Sequence, residues 1–202
     1  MHRFAMRLTA TMLVFGIAIQ SVFAESLPPD QLVRDTASAT LTEIRQRSDE
    51  LSKNPEQLYS LVEDRLVPHF DINLIARQVL GRYWTQATPE QRARFSSAFR
   101  RMLIRTYAKA LLAFKDDNFE WTPANLSPDA TEAVVKSTVV RGNGTALSVS
   151  YKMHRVDDQW LVNDITIDGV SLVTNYRGIF VNEVKKSSVE DVVDRLEKKI
   201  AS

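Results

Sequence analysis

The hydrophobic period of this chain changes twice, and the two changes divide it into helices, a sheet and helices again. From Pro29 to Phe114 apolar residues recur every three to five positions, the spacing of one buried helix face. Leu32, Val33, Ala37, Leu41, Ile44 and Leu51 predict a long first helix. Asn54 reads as an N-cap with Pro55 at the first helical position, followed by a second helix burying Leu58, Leu61, Val62 and Leu66 and ended by Pro68. Asp71 can cap a short third helix bearing Ile72, Ile75, Ala76 and Val79, with Gly81 placed to stop it. Thr88-Pro89-Glu90-Gln91 is a capping box with proline in the first turn, and it predicts a helix running to about Phe114.

After Asp116-Asp117-Asn118 the period falls to two. Phe119 and Trp121 alternate with polar residues, residues 132 to 141 form a valine-rich strand, and Arg141-Gly142-Asn143-Gly144 supplies the turn. Leu147, Val149, Tyr151 and Met153 then share one face of the next strand. In the segment Trp160 to Ile167 the apolar positions switch parity, from Trp160 and Val162 to Ile165 and Ile167, which predicts a bulge near Asn163-Asp164. Beyond Gly169 the helical period returns, and Ser187 or Ser188 caps a last helix burying Val189, Val192, Val193, Leu196 and Ile200. This order predicts an α+β fold, with helices packed on one face of an antiparallel sheet of about four strands.

The first 24 residues predict export. Arg3 and Arg7 form a short positive region, Leu8 to Ile19 is uncharged and apolar, and Val22-Phe23-Ala24 offers small residues for cleavage before Glu25. That apolar run is shorter than the roughly 20 residues needed to span a bilayer. The expected mature chain, residues 25 to 202, carries 25 acidic and 24 basic residues, so no nucleic-acid footprint is expected, and one domain with one core is. With no cysteine in the chain, disulfides, thiol redox chemistry and cysteine metal sites are excluded.

A search for reactive groups yields little. His69 and His154 lie outside any metal-ligand spacing, and no Walker-type glycine loop or Gly-x-Ser-x-Gly elbow occurs. No catalytic residue, metal or cofactor is expected. Asp164, beside apolar residues near the end of a core strand, could serve as a general base, or could simply be a satisfied polar group at the bulge. Arg92, Arg94, Arg100, Arg101, Arg105 and Lys109 crowd one helix; that reads as a solvated face or as a docking surface for an anionic partner or lipid phosphate. Phe95, Ala98, Phe99, Met102, Leu103, Tyr107, Ala110, Leu111 and Phe114 spread over more than one narrow stripe of the same helix. Core packing explains each of them singly.

Leu66-Val67-Pro68-His69-Phe70-Asp71, Val79-Leu80-Gly81-Arg82-Tyr83-Trp84, Ala87-Thr88-Pro89-Glu90-Gln91-Arg92 and the Phe95 to Tyr107 helix resemble the MlaC family, also called the toluene-tolerance auxiliary family. Gln159-Trp160-Leu161-Val162 through Asp168-Gly169-Val170-Ser171-Leu172 is similar to the closing strand and turn of that family. The resemblance implies a monomeric periplasmic phospholipid carrier of Gram-negative bacteria. It would shuttle glycerophospholipid between an outer-membrane lipoprotein complex and an inner-membrane ABC transporter bearing an MCE-domain ring, and so maintain outer-membrane lipid asymmetry. It also implies a deep apolar cavity between a curved sheet and the helices, with phospholipid as cargo and no cofactor. A hopanoid-associated branch leaves open a different apolar ligand.

Facing and size then select the residues expected to line such a cavity. From the helices these are Val79, Tyr83, Phe95, Phe99, Leu103, Tyr107 and Leu111. From the sheet and closing helix they are Val139, Leu147, Val149, Tyr151, Val162, Ile165, Val170, Leu172 and Ile179. Arg82, Arg94, Arg101 and Arg105 are expected to dock a partner or lie near the phosphate. Two other classes remain: a pocket isomerase or hydrolase using Asp164 with Tyr151 or Tyr107, and a lipid-free adaptor bridging two membrane complexes through its basic helix.

Overall fold

A computed structural model describes residues 27–124, 126–127 and 129–201; the segment read as a signal peptide lies outside them. The helices are α1 Pro29–Gln46, α2 Ser48–Lys53, α3 Pro55–Arg65, α4 Ile72–Leu80, α5 Tyr83–Gln86, α6 Pro89–Ala113, α7 Leu172–Lys186 and α8 Val189–Ala201, with a 3-10 turn at Val67–His69. The strands β1 Asn118–Thr122, β2 Glu132–Val140, β3 Ala146–Val156, β4 Gln159–Ile167 and β5 Val170–Ser171 form one antiparallel sheet in sequence order. The fold is α+β, as the change of period predicts. The fifth strand has only two residues, too few for any periodicity to reveal.

Local chemistry accounts for most boundaries. At α6 the Thr88 hydroxyl accepts from the Gln91 N–H at 3.1 Å while the Gln91 side chain accepts from the Thr88 N–H at 2.9 Å, the reciprocal capping that the sequence predicts. Asp71 caps α4 by accepting from the Leu74 N–H at 2.9 Å, and Ser188 accepts from Asp191 N–H at 3.1 Å at the start of α8. The predicted bulge is present: Lys152 pairs with Asp164 and Met153 with Val162, so Asn163 is the extra residue.

Two expectations need correction. The first helix is not continuous to Leu51, because the backbone leaves the helical region at Arg47 (φ −110°, ψ 18°) and resumes as α2. The Arg47 side chain binds Glu43 and Glu50 on either side of this bend, and Ile44 and Leu51 stay in one apolar cluster across it, which is why the period survives. Asn54 does not cap α3 with its side chain; its Nδ2 donates instead to the Glu50 carbonyl at 3.0 Å and closes α2.

Gly81 ends α4 at φ 55° and ψ −127°, where an L side chain is strained, and a Cβ there would lie 3.1 Å from the Arg177 Nε of α7. Gly81→Ala is therefore expected to destabilise the protein by about 1–3 kcal/mol. Urea unfolding measures this, and an unchanged midpoint would contradict it.

Three apolar clusters build the interior. One joins α4, α6, α7 and α8 through residues such as Val79, Phe95, Phe99, Phe180 and Val193. A second joins α1, α2, α3 and α6 through Ile44, Leu51, Leu58 and Ile104. The third joins α1 to the sheet through Val33, Val135, Met153, Trp160 and Val162. The space between these three clusters positions the candidate site.

Candidate functional site

Where the clusters fail to meet lies a partly open cavity of about 310 Å³. That is twice the roughly 150 Å³ of an apolar void that already takes up a benzene-sized hydrocarbon. Its floor is the inward row of the sheet, with Phe119, Val139, Leu147, Val149, Tyr151, Met153, Val162, Ile165 and Ile167. These positions face one way because strand residues alternate and the Asn163 bulge restores Ile165 and Ile167 to the same side. The roof is one arc of α6, made by Phe99, Leu103, Tyr107, Ala110, Leu111 and Phe114. Leu32, Val33, Thr36, Ala37, Thr40 and Leu41, a stripe of α1 at helical spacing, form one wall, and Leu172, Val173 and Tyr176 of α7 form another. Val67, His69, Phe70, Ile72 and Ile75 close one end, where the Asp71 N–H donates to the Val162 carbonyl at 3.0 Å and ties the helical layer to the sheet.

Several polar groups on this wall are turned to the protein itself. The Thr40 hydroxyl donates to the Thr36 carbonyl at 2.7 Å, within α1. Asp164 accepts from the Ser171 hydroxyl at 2.6 Å and from the Val173 N–H at 3.1 Å, so its two oxygens hold the start of α7. Arg100 Nη2 is paired with Glu63 at 3.1 Å, while its buried Nε has no partner among the described residues. Burial pushes the His69 imidazole below its ordinary value and so favours the neutral ring. Burial also raises the Tyr151 phenol. Such a wall offers an apolar ligand contact over most of its area and only a few scattered donors.

Tyr107 and Tyr176 place their hydroxyls 3.4 Å apart. Burial, and then this contact, push the Tyr107 phenol well above its ordinary value of 10.0. The folded state therefore holds the proton more tightly than the unfolded chain does. Its contribution is intact below pH 10.0 and is lost as pH rises through the higher folded value. Tyr107→Phe is expected to flatten the alkaline fall of the melting temperature; an alkaline limb identical to that of the parent would contradict this reading.

Eleven of the sixteen predicted lining residues stand on the cavity wall: Phe99, Leu103, Tyr107, Leu111, Val139, Leu147, Val149, Tyr151, Val162, Ile165 and Leu172. Five do not. Val79 and Phe95 are wholly buried in the helical cluster, one turn from Ile75 and Phe99 where the void begins, and Tyr83 packs against that cluster from α5. Val170 opens the edge strand β5 and is 56 % exposed, and Ile179 lies beside the Tyr176–Phe180–Val184 stripe of α7 at 44 % exposed. The α1 stripe, the segment from Val67 to Ile75, and Phe114, Phe119, Met153, Ile167 and Tyr176 line the cavity without having been predicted. Their apolar period is visible in the sequence, but it reads as core.

None of the four predicted arginines borders the cavity. Arg94 is gripped by Glu190, Asp194 and Glu197 of α8, with bonds of 2.6 Å to Asp194 and 2.7 Å to Glu197, so it fastens α8 to α6. Arg105 lies over the Tyr59 ring and reaches Glu56 at 3.4 Å. Arg82 lies over the Tyr83 ring and donates to its hydroxyl at 3.2 Å. Arg101 is exposed. His154 sits off the cavity wall, 3.1 Å from Asp71 and 2.8 Å from the Asn163 amide. No group of three or more His, Cys, Asp or Glu side chains among the described residues could hold a metal ion, and no described helix is long and apolar enough to cross a membrane.

Comparison with known proteins adds a second line to this geometry. The family model described as MlaC protein matches residues 34–198. The chain is 25 % identical to the toluene tolerance protein ttg2D of Pseudomonas putida, over 87 % of this chain and 82 % of that one. It is 21 % identical to the intermembrane phospholipid transport system binding protein MlaC of Haemophilus influenzae, over 84 % and 80 %. Among solved structures, the phospholipid-binding protein of Ralstonia solanacearum in complex with a phospholipid superposes with a TM-score of 0.80 at 30 % identity, covering 87 % of this chain and 98 % of that one.

Proposed function

The chain belongs to the MlaC family, and from that premise we propose that it is a periplasmic carrier of glycerophospholipid, exported by its first 24 residues. It takes the acyl tails of one lipid into the cavity between sheet and helices. It passes that lipid between an outer-membrane lipoprotein complex and an inner-membrane ABC transporter with an MCE-domain ring, and so maintains outer-membrane lipid asymmetry. The single observation that supports this reading best is a void between sheet and helices whose wall is almost entirely hydrocarbon, with Thr40 and Asp164 bonded within the protein.

Two acyl chains hold about 30 methylenes, and at roughly 0.8 kcal/mol each their exposure to water costs more than about 20 kcal/mol. A protein that moves them through an aqueous space has to keep most of that length dry. The bilayer satisfies the same chains, so exchange between membrane and cavity runs near balance and needs no chemical step. On this reading Asp164 is a capping carboxylate rather than a base, and no cofactor takes part. Asp71 and His154 are partners of each other, and Glu63 pairs with Arg100. Arg82 and Arg101, exposed and off the wall, remain available to the partner complexes.

Vesicle transfer tests the proposal. Purified protein is expected to move a fluorescent diacyl phospholipid from donor to acceptor vesicles at a rate proportional to protein concentration. Transfer no faster than in buffer alone would contradict it.

A further inference from the structure

The cavity runs to the end of the sheet where three connections gather: the α6–β1 link, the β2–β3 turn and the β4–β5 turn. Register places them together, since Phe119 pairs with Val139, Val139 with Leu147, and Val149 with Ile167. At this rim the Arg141 guanidinium lies over the ring of Phe114, 4.8 Å from its centroid, and Phe114 is itself a wall residue. We propose that Arg141 binds the phosphodiester of the carried lipid, at the point where the tails enter the cavity. This rests on the carrier reading and adds to it a recognition residue for the headgroup phosphate.

The charges at this end single out Arg141. Arg45 donates to the Lys115 carbonyl at 2.6 Å and pairs with Asp116 at 3.5 Å, and Lys115 is paired with Asp116 as well. Arg141 makes no side-chain hydrogen bond among the described residues. Among the described residues its one ion pair is with Asp117, whose carboxylate is 3.8 Å from Nε, beyond hydrogen-bond reach. Asp117 is 15 % exposed and so orients the guanidinium, while the forked Nη groups of the 46 % exposed arginine keep their donors.

Arg100 also borders the cavity, but Glu63 holds its Nη2, and the donor left without a partner, Nε, is buried rather than presented at the rim. A planar fork of unused donors beside the apolar wall residue Phe114 matches a phosphodiester whose tails continue along that wall. Space for the headgroup exists, because nothing lies within 4 Å of where side chains at Gly142 and Gly144 would begin. The turn carrying Arg141 is firm: its N–H donates to the Thr145 carbonyl and its carbonyl accepts from the Gly144 N–H, both at 2.9 Å.

The test incubates parent protein, Arg141→Gln and Arg141→Lys with vesicles holding equal dioleoyl-phosphatidylglycerol and dioleoylglycerol, then measures both lipids on the reisolated protein by mass spectrometry. Tails and donor membrane are common to all three proteins, so only the ratio between variants is read. Arg141→Gln is expected to lower the phospholipid-to-diglyceride ratio about fivefold, the size of one exposed ion pair, with total lipid per protein unchanged. Arg141→Lys is expected to fall between the two, since lysine keeps the charge without the fork.

An unchanged ratio in Arg141→Gln at full lipid load overturns the assignment while leaving the carrier reading intact. A parent protein that retains neither lipid overturns the carrier reading itself. Inorganic phosphate at the concentration of the lipid should leave the parent ratio unchanged. A collapse to the Arg141→Gln value would make this a site for free phosphate and overturn the assignment to the lipid.

Discussion

Val149→Glu is expected to leave a folded protein that carries no lipid. Val149 stands in the middle of the cavity floor, paired with Ser137 and Ile167, and is 7 % exposed. The floor around it is hydrocarbon, with Val139, Leu147, Ile165 and Ile167 on the same wall. Ionised, the new side chain draws water into the void, and packing acyl chains against it costs several kcal/mol, or about a hundredfold or more in lipid occupancy. The empty cavity, by contrast, can hydrate the charge, so the fold survives. Burial raises a carboxyl pKa, so the charge is lost as pH falls, and lipid load should recover on acidification. Lipid extraction against pH checks this; full load in the variant at neutral pH would contradict the placement of the floor.

Phe95→Ala should do the reverse. Phe95 is wholly buried, stacked on Phe99 at 5.6 Å and edge-on to Phe180 at 5.2 Å, within the cluster that packs α4, α7 and α8 on α6. Removing the ring costs about 3–5 kcal/mol through lost transfer and the hole left behind, a large share of the roughly 5–15 kcal/mol that holds a domain together. Phe95 does not line the lipid cavity, so the fraction that remains folded should bind its usual load. Urea unfolding and lipid per folded protein separate the two quantities. Reduced load at unchanged stability would put Phe95 on the wall after all.

The contrast between these two residues also shows what the sequence reveals and where it stops. Phe95 and Phe99 are one turn apart on the same face of α6, of the same type and the same burial, yet only Phe99 meets the void. Periodicity reports which side of a helix is dry. It does not report whether the facing space holds another side chain or nothing, because that depends on where three clusters distant in sequence stop short of one another. Strand faces were easier to read: Val139, Leu147, Val149, Tyr151, Val162 and Ile165 follow from alternation plus the parity switch at Asn163.

Helix starts at Asp71, Thr88 and Ser188 were legible because capping is local chemistry. The break at Arg47 and the short strand β5 were not, since neither interrupts the apolar period. The arginines of α6 misled because charge in a sequence shows no partners; Arg94 faces three carboxylates about one hundred residues later in the chain. In the sequence Arg141 is one residue of a turn, and its place above Phe114 needs the tertiary fold.

The most direct measurement is the native mass of the protein, produced in a Gram-negative periplasm and purified without detergent. The expected spectrum shows the processed chain plus the mass of one diacyl phospholipid, lost under denaturing conditions. A spectrum of the bare chain alone, from protein that also takes up no phospholipid from vesicles, would contradict the account.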